Sequence, residues 1–132
     1  MPSSPAISVV VPLYNEEDNV VEMQQQIDKV LSGRDYELVL VDDGSKDQTL
    51  ARVQRGDRVR VLVFEKNSGQ SAAMHAGIYA ALGDVIVTLD GDLQNDPADI
   101  PAMIDKLDEG GGYDLVCGYR AKRKDTTFKR LQ

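Results

Sequence analysis

A chain of 132 residues with 42% apolar side chains is one domain's length of sequence, enough to bury a core without covalent staples. The net charge of −7 sets nucleic acid aside as the main partner, and a single cysteine, Cys117, excludes an internal disulfide or a cysteine metal cluster. No apolar run approaches the ~18 residues of a membrane span, and the opening residues lack the charged start and apolar stretch of a secretory signal. Cys117 sits in the apolar run Leu115-Val116-Cys117 and reads as a small core residue in a reducing compartment. Charge is unevenly placed: residues 120–132 carry net +5, leaving −12 for the rest. That basic end is either a solvated tail or a segment that meets phosphates or an anionic membrane surface.

In chain order, strand and helix patterns alternate. Ile7 to Val11 is a β-branched run that predicts a buried parallel strand stopped by Pro12. A helix follows, capped by Asn15, with Glu16, Glu17 and Asp18 at its positive end and Val20, Ile27, Val30 and Leu31 at helical spacing; Gly33 ends it. Tyr36 to Val41 predicts the second strand, closed by Asp42-Asp43-Gly44-Ser45, and a short helix runs through Thr49, Leu50 and Val53. Val59 to Phe64 predicts the third strand, ended by Asn67-Ser68-Gly69. Residues 70–82 form an alanine-rich helix whose small side chains suit close packing on a sheet. The fourth strand ends in Leu89-Asp90-Gly91-Asp92. A helix over 99–109 places Ile100, Met103, Ile104 and Leu107 on one face, with 96–98 as a turn because Pro101 fits only the first helical turn. Gly110 to Gly112 breaks that helix, and residues 113–118 predict the fifth strand. This succession implies an α/β fold with a mostly parallel sheet and helices on both faces.

Ligands in such sheets bind beyond the carboxyl ends of the strands. Reading those ends collects Pro12 to Glu16, Asp42 to Ser45, Asn67 to Gln70, Asp90 to Gln94, and Gly118 to Arg120. Each has a plainer reading. The Asp42 cluster is also a turn with a helix cap, Asn67 to Gln70 reads as a turn entering a helix, and His75 as a packing or surface histidine. Asp90 and Asp92 are harder to dismiss, because two acids directly after a buried run serve no packing purpose. They suit a hard divalent cation held against phosphate oxygens.

Together the stretches VVVPLYNEEDNV, VDDGSKDQT, KNSGQSAAMHAGIYAALGDVIVTLDGDLQNDP and LVCGYRAKRKDTTFKR resemble the nucleotide-binding half of glycosyltransferase family 2, with its Rossmann-like GT-A fold. Within it, LDGDLQNDP and the GYR before a basic stretch are most similar to the polyprenyl-phosphate sugar transferases. The resemblance implies a metal-dependent, inverting transfer from a UDP- or GDP-sugar to a dolichyl or undecaprenyl phosphate. It implies that Pro12, Tyr14, Glu16, Val41 and Asp43 line the base and ribose pocket. Asp90, Gly91 and Asp92 form the metal-diphosphate motif, with Asp90, Asp92 and Gln94 toward Mg²⁺ or Mn²⁺. Arg120 faces phosphate, where its planar fork suits bidentate contact. Asp92 and Arg120 are then the catalytic pair. An anionic lipid phosphate needs no strong base, since its second pKa is about 6. Gly91 departs from the alanine common in related sequences.

The implied organisation is a nucleotide-sugar-binding domain over 1–119 and the basic start of an acceptor- and membrane-facing region over 120–132, making the chain a donor-binding fragment. The full-length protein is expected at the cytoplasmic face of a membrane, and this chain alone soluble and cytoplasmic. Alternatives are transfer to a saccharide hydroxyl, a non-catalytic nucleotide-binding module, or a receiver-like module. The receiver fits poorly, because the first acid pair follows the second strand rather than the first. No Gly-x-Gly-x-x-Gly opens the first helix, which argues against a dinucleotide oxidoreductase.

Overall fold

In a computed structural model, residues 5–91, 97–102, 104 and 105 are described, together with the backbone of 115–117 and 127–129. Six strands form one sheet: β1 Ile7–Leu13, β2 Tyr36–Asp42, β3 Val59–Val63, β4 Val85–Thr88, β5 Leu115–Cys117 and β6 Thr127–Lys129. Their order is β3-β2-β1-β4-β5-β6. All neighbours are parallel except β5 and β6, which pair antiparallel. The helices are α1 Val20–Val30, α2 Thr49–Arg52 and α3 Gln70–Ala80, and a 3₁₀ turn, Pro97–Asp99, leads into helical residues from Ile100. Among the described residues, no helix is long and apolar enough to cross a membrane.

Strand periodicity sorts the core into two layers. Val9, Val11 and Leu13 of β1, Leu38 and Leu40 of β2, and Val87 of β4 face α1, packing on Val20, Met23, Ile27, Ile100 and Ile104. Val10, Val39, Val41 and Ile86 face the other way, against Ala73, Met74 and Ile78 of α3. The alanine-rich helix fits the sheet at Gly77, where an added Cβ would stand 2.3 Å from Val10 Cγ1 and 3.1 Å from Val41 Cγ2.

Two sequence expectations are corrected here. Pro12 does not stop the first strand, which runs on through Leu13. Odd residues of β1 bond toward β2, as Leu13 O does with Asp43 N–H, and even residues toward β4, as Val10 O does with Leu89 N–H. The β4 ladder ends at the Val10–Thr88 pair. Pro12 is the next even residue and lacks the N–H that would extend pairing toward β4, so that ladder ends before it, while pairing with β2 carries the strand on to Leu13. Asn15 does not cap α1, which begins after Asn19. Strand β6 lies beyond the expected elements, because Thr127-Phe128-Lys129 lacks an apolar run. The side chains of Met103, Leu107 and Cys117 and the glycines at 110–112 lie outside the described residues.

At the amino edge of the sheet, Glu37 is buried and fully engaged. Its Oε2 accepts from Ser8 Oγ–H at 2.6 Å and Leu82 N–H at 2.7 Å, and its Oε1 accepts from Arg60 at 2.9 Å. Ser8 Oγ in turn accepts from Gly83 N–H. Burial pushes the Glu37 carboxyl up, but the hydrogen bonds from Ser8, Leu82 and Arg60 outweigh it and hold the group below the ordinary glutamate value. A depressed folded-state pKa stabilises the fold above the unfolded value of about 4.3 and ceases to do so as pH falls through the folded value. Glu37→Gln keeps the shape but turns an NH₂ toward donors. It should cost about 2–3 kcal/mol at neutral pH. In urea melts from pH 7 downward, the wild type should lose stability more steeply below about pH 4.5 than the variant.

Candidate active site

The strand order reverses between β1 and β4, so the crevice at their carboxyl ends is the switch point where such sheets bind ligands. A cavity of about 360 Å³ occupies that place, lined by Pro12, Leu13, Tyr14, Glu16, Asp43, Asn67, Gly69, Gln70, Asp90 and Gly91. Strand parity explains its composition. Val39 and Val41 face α3, so Asp43 does too; Ile86 belongs to the same layer, so Asp90 follows it. Two acids from different strands are thereby aimed at the start of α3.

The loop into α3 receives them differently. Asp43 accepts from Ser68 N–H at 2.7 Å on Oδ1, and from Asn67 Nδ2 at 2.9 Å and Gly69 N–H at 3.1 Å on Oδ2. Asp90 Oδ1 accepts from Gln70 Nε2 at 2.8 Å. Asp42 faces the opposite layer, and its buried Oδ1 has no hydrogen-bond partner among the described residues. Gly44 permits the close loop approach: it has φ +71°, and a Cβ there would stand 2.5 Å from the backbone of Lys66 and Asn67.

The loops after β1 and β2 are tied together. Asn15, at φ 52°, donates its N–H to Ser45 Oγ and accepts from Lys46 N–H. Glu16 N–H donates to Thr49 Oγ1, Glu17 N–H to Asp47 Oδ2, and Arg52 to the Glu17 carbonyl. Asparagine adopts the left-handed backbone more readily than most residues, and here the bonds to Ser45 and Lys46 of the neighbouring loop hold it there. Desolvation raises the Asp47 carboxyl, but hydrogen bonds from the Thr49 hydroxyl and amide and from Glu17 N–H together outweigh it and hold the group below the ordinary range.

Of the residues the sequence singled out, Pro12, Tyr14, Glu16, Asp43, Asp90 and Gly91 meet at this one cavity. Val41 does not; it is fully buried in the layer under α3. Asp92, Gln94 and Arg120 lie outside the described residues. Asn67, Gly69 and Gln70 line the cavity, although the sequence favoured a plain turn there. Their position at the end of the third strand was the available signal. A Cβ on Gly91 would meet Leu13 Cδ2 at 2.6 Å, so the chain after β4 passes close to the end of β1 here.

A divalent cation fits the donor set. Three carboxylates, from Glu16, Asp43 and Asp90, line the cavity, and no lysine or arginine is among its described lining residues. No group of three or more His, Cys, Asp or Glu side chains converges as a preformed cation cage among the described residues. A single carboxylate such as Asp90 is the kind of hard oxygen donor that Mg²⁺ and Mn²⁺ take beside phosphate.

A doubly wound sheet in this order, with an acid-lined crevice at its switch point, defines the nucleotide-binding part of a GT-A glycosyltransferase fold. The chain belongs to Glycosyl transferase family 2, whose profile matches residues 8–132. It is 44% identical to a dodecaprenyl-phosphate galacturonate synthase of Rhizobium johnstonii, over 94% of this chain and 38% of that protein. It is 41% identical to an undecaprenyl-phosphate 4-deoxy-4-formamido-L-arabinose transferase of Klebsiella pneumoniae, over 94% of this chain and 39% of that protein. The chain thus spans about two fifths of the length of these relatives. Among solved structures it is similar to glucosyl-3-phosphoglycerate synthase from Mycobacterium tuberculosis in complex with Mn²⁺, UDP and glucosyl-3-phosphoglycerate. There the TM-score is 0.63 at 27% identity, covering 78% of this chain and 39% of that one.

Proposed function

We propose that this chain binds the nucleotide-sugar donor for transfer of a sugar to a polyprenyl phosphate, with a divalent metal ion. The observation that carries the reading is the cavity's charge. Three acids line a site at the place where this fold binds nucleotides, with no cationic side chain among the described lining residues. A diphosphate meets strong repulsion in such a site unless a cation enters with it. The relatives named for polyprenyl-phosphate sugars supply the acceptor class.

Tyr14 is 43% exposed at the cavity and offers a ring face to the base, with Pro12 and Glu16 beside it. Asp43 braces the loop that forms the opposite wall, and Val41 supports it from the core. Asp90, with Gly91, Asp92 and Gln94, is the metal-diphosphate motif. Arg120 neutralises phosphate charge, and the basic residues that follow it meet the anionic lipid surface. When bound, the metal ion offsets the charge that develops on the leaving diphosphate. The lipid phosphate is already an anion and is positioned rather than deprotonated, and in-line attack inverts the anomeric carbon.

Calorimetry with UDP and GDP, each with and without Mn²⁺, tests the donor half of this reading. One nucleotide should bind in the presence of Mn²⁺ and weaken at least tenfold, roughly 1.4 kcal/mol, when EDTA removes it. Absence of binding by both nucleotides with Mn²⁺ present would overturn the assignment.

A further inference from the structure

Neither α1 nor α2 carries a side-chain cap of its own. Backbone amides in the turns that enter them still need acceptors, and each turn draws these from the other. The Thr49 hydroxyl accepts from Glu16 N–H at 2.7 Å, Asp47 Oδ2 from Glu17 N–H at 3.3 Å, and Ser45 Oγ from Asn15 N–H at 2.9 Å. In return, Asn15 Oδ1 accepts from Lys46 N–H at 2.9 Å and Glu17 Oε2 from Gln48 N–H at 3.3 Å. Thr49 is the hub of this exchange. It is fully buried, and its hydroxyl proton goes to Asp47 Oδ1, so one oxygen joins the entry of α2 to the backbone of Glu16. Thr49 is not a lining residue of the crevice cavity, whereas Tyr14 and Glu16 are. Tyr14 sits between Leu13, whose carbonyl accepts from Asp43 N–H, and Asn15.

We propose that Thr49 is a positioning residue for the nucleotide-sugar donor: through Glu16 N–H it fixes the backbone that brings Tyr14 and Glu16 to the cavity, without touching the ligand. This rests on reading that wall as the base and ribose side of the site. The physical reason is entropic. A wall whose backbone wanders must be ordered when the ligand binds, and that ordering is subtracted from affinity. Acceptors from the loop after β2 take the amides of Asn15, Glu16 and Glu17 and narrow the conformations open to the loop after β1. Thr49 acts on the β1 side of the crevice. Its effect therefore falls on the base and ribose, and the diphosphate, met by the motif after β4, is spared.

Calorimetry on the whole chain with Mn²⁺ tests the proposal. It compares whichever of UDP and GDP the wild type binds with inorganic pyrophosphate, which has neither base nor ribose. Thr49→Val keeps the shape of the side chain but removes the hydroxyl. It should weaken the nucleotide about tenfold and leave pyrophosphate within about twofold of the wild type. Thr49→Ser, which keeps the hydroxyl, should bind the nucleotide within about threefold of the wild type. Val53→Ala, at the buried end of α2, is the stability control. It should lower the melting temperature at least as much as Thr49→Val and leave nucleotide affinity unchanged, with every titration run well below the lowest melt. Wild-type nucleotide affinity in folded Thr49→Val, or an equal loss for nucleotide and pyrophosphate, would overturn the positioning role. An equal loss in Val53→Ala would also overturn it, as an effect of stability alone, and so would a Thr49→Ser variant no better than Thr49→Val. A wild type that binds neither nucleotide, or binds pyrophosphate as tightly as the nucleotide, would overturn the reading of this wall as the base side, and this inference with it.

Discussion

Asp90→Asn should lower Mn²⁺-dependent nucleotide affinity about a hundredfold, roughly 2.7 kcal/mol, without lowering the melting temperature. The substitution is isosteric, and Asn can still present an oxygen to Gln70 Nε2. What it removes is a unit of negative charge beside the cation, and ligand charge count is a principal determinant of affinity in oxygen-ligand sites. Stability should hold or rise, because Glu16, Asp43 and Asp90 share one cavity and removing one acid relieves repulsion among them. Calorimetric titration paired with thermal denaturation reads both effects. A variant that kept full metal-dependent affinity would show that Asp90 is not a ligand.

Gly77→Ala should destabilise the fold by about 2 kcal/mol and weaken nucleotide binding through a residue that never touches the cavity. Alanine gains about 1 kcal/mol over glycine in helix propensity. Against this, its Cβ would stand 2.3 Å from Val10 Cγ1, and Val10 is fully buried and β-branched, so it has no alternative rotamer to retreat into. Relief comes from lifting α3 off the sheet. That movement carries Gly69 and Gln70 away from Asp43 and Asp90, opening hydrogen bonds of 3.1 and 2.8 Å. A fall in melting temperature of about 6–12 °C is expected for a domain of this size. Gly77→Val should be worse than Gly77→Ala. Equal stability of the alanine variant and the wild type would show that α3 can shift on the sheet without cost.

Much of this was legible in the sequence, for identifiable reasons. The β-branched runs of β1, β2 and β4 are buried on both faces, and that is the pattern a parallel interior strand writes. Polar residues at successive strand ends then had to gather at one edge, which is why Pro12, Tyr14, Glu16, Asp43, Asp90 and Gly91 meet. What escaped depended on partners distant in sequence. Whether Pro12 ends a strand is decided by which neighbour its missing N–H faces, and pairing with β2 on the other side carries β1 past it. Asn15 looks like a helix cap locally, but its side-chain oxygen accepts from Lys46 N–H and its backbone N–H donates to Ser45 Oγ, both in another loop. Gln70 looks like the first residue of a helix, and its place in the cavity is visible only once Asp90 is opposite it. Strand β6 exists because β5 offers it an edge, and its own residues carry little β-pattern.

The ties between the loops after β1 and β2 have a kinetic consequence. Recognition loops that must order around a ligand forfeit affinity to that ordering and slow their own association. Here Asn15, Glu16 and Glu17 are bonded to Ser45, Lys46, Asp47 and Thr49 within the protein itself. The wall that these two loops give the cavity is thus cross-braced. Nucleotide on-rates at the β1–β2 side should follow diffusion and salt screening rather than a slow conformational gate.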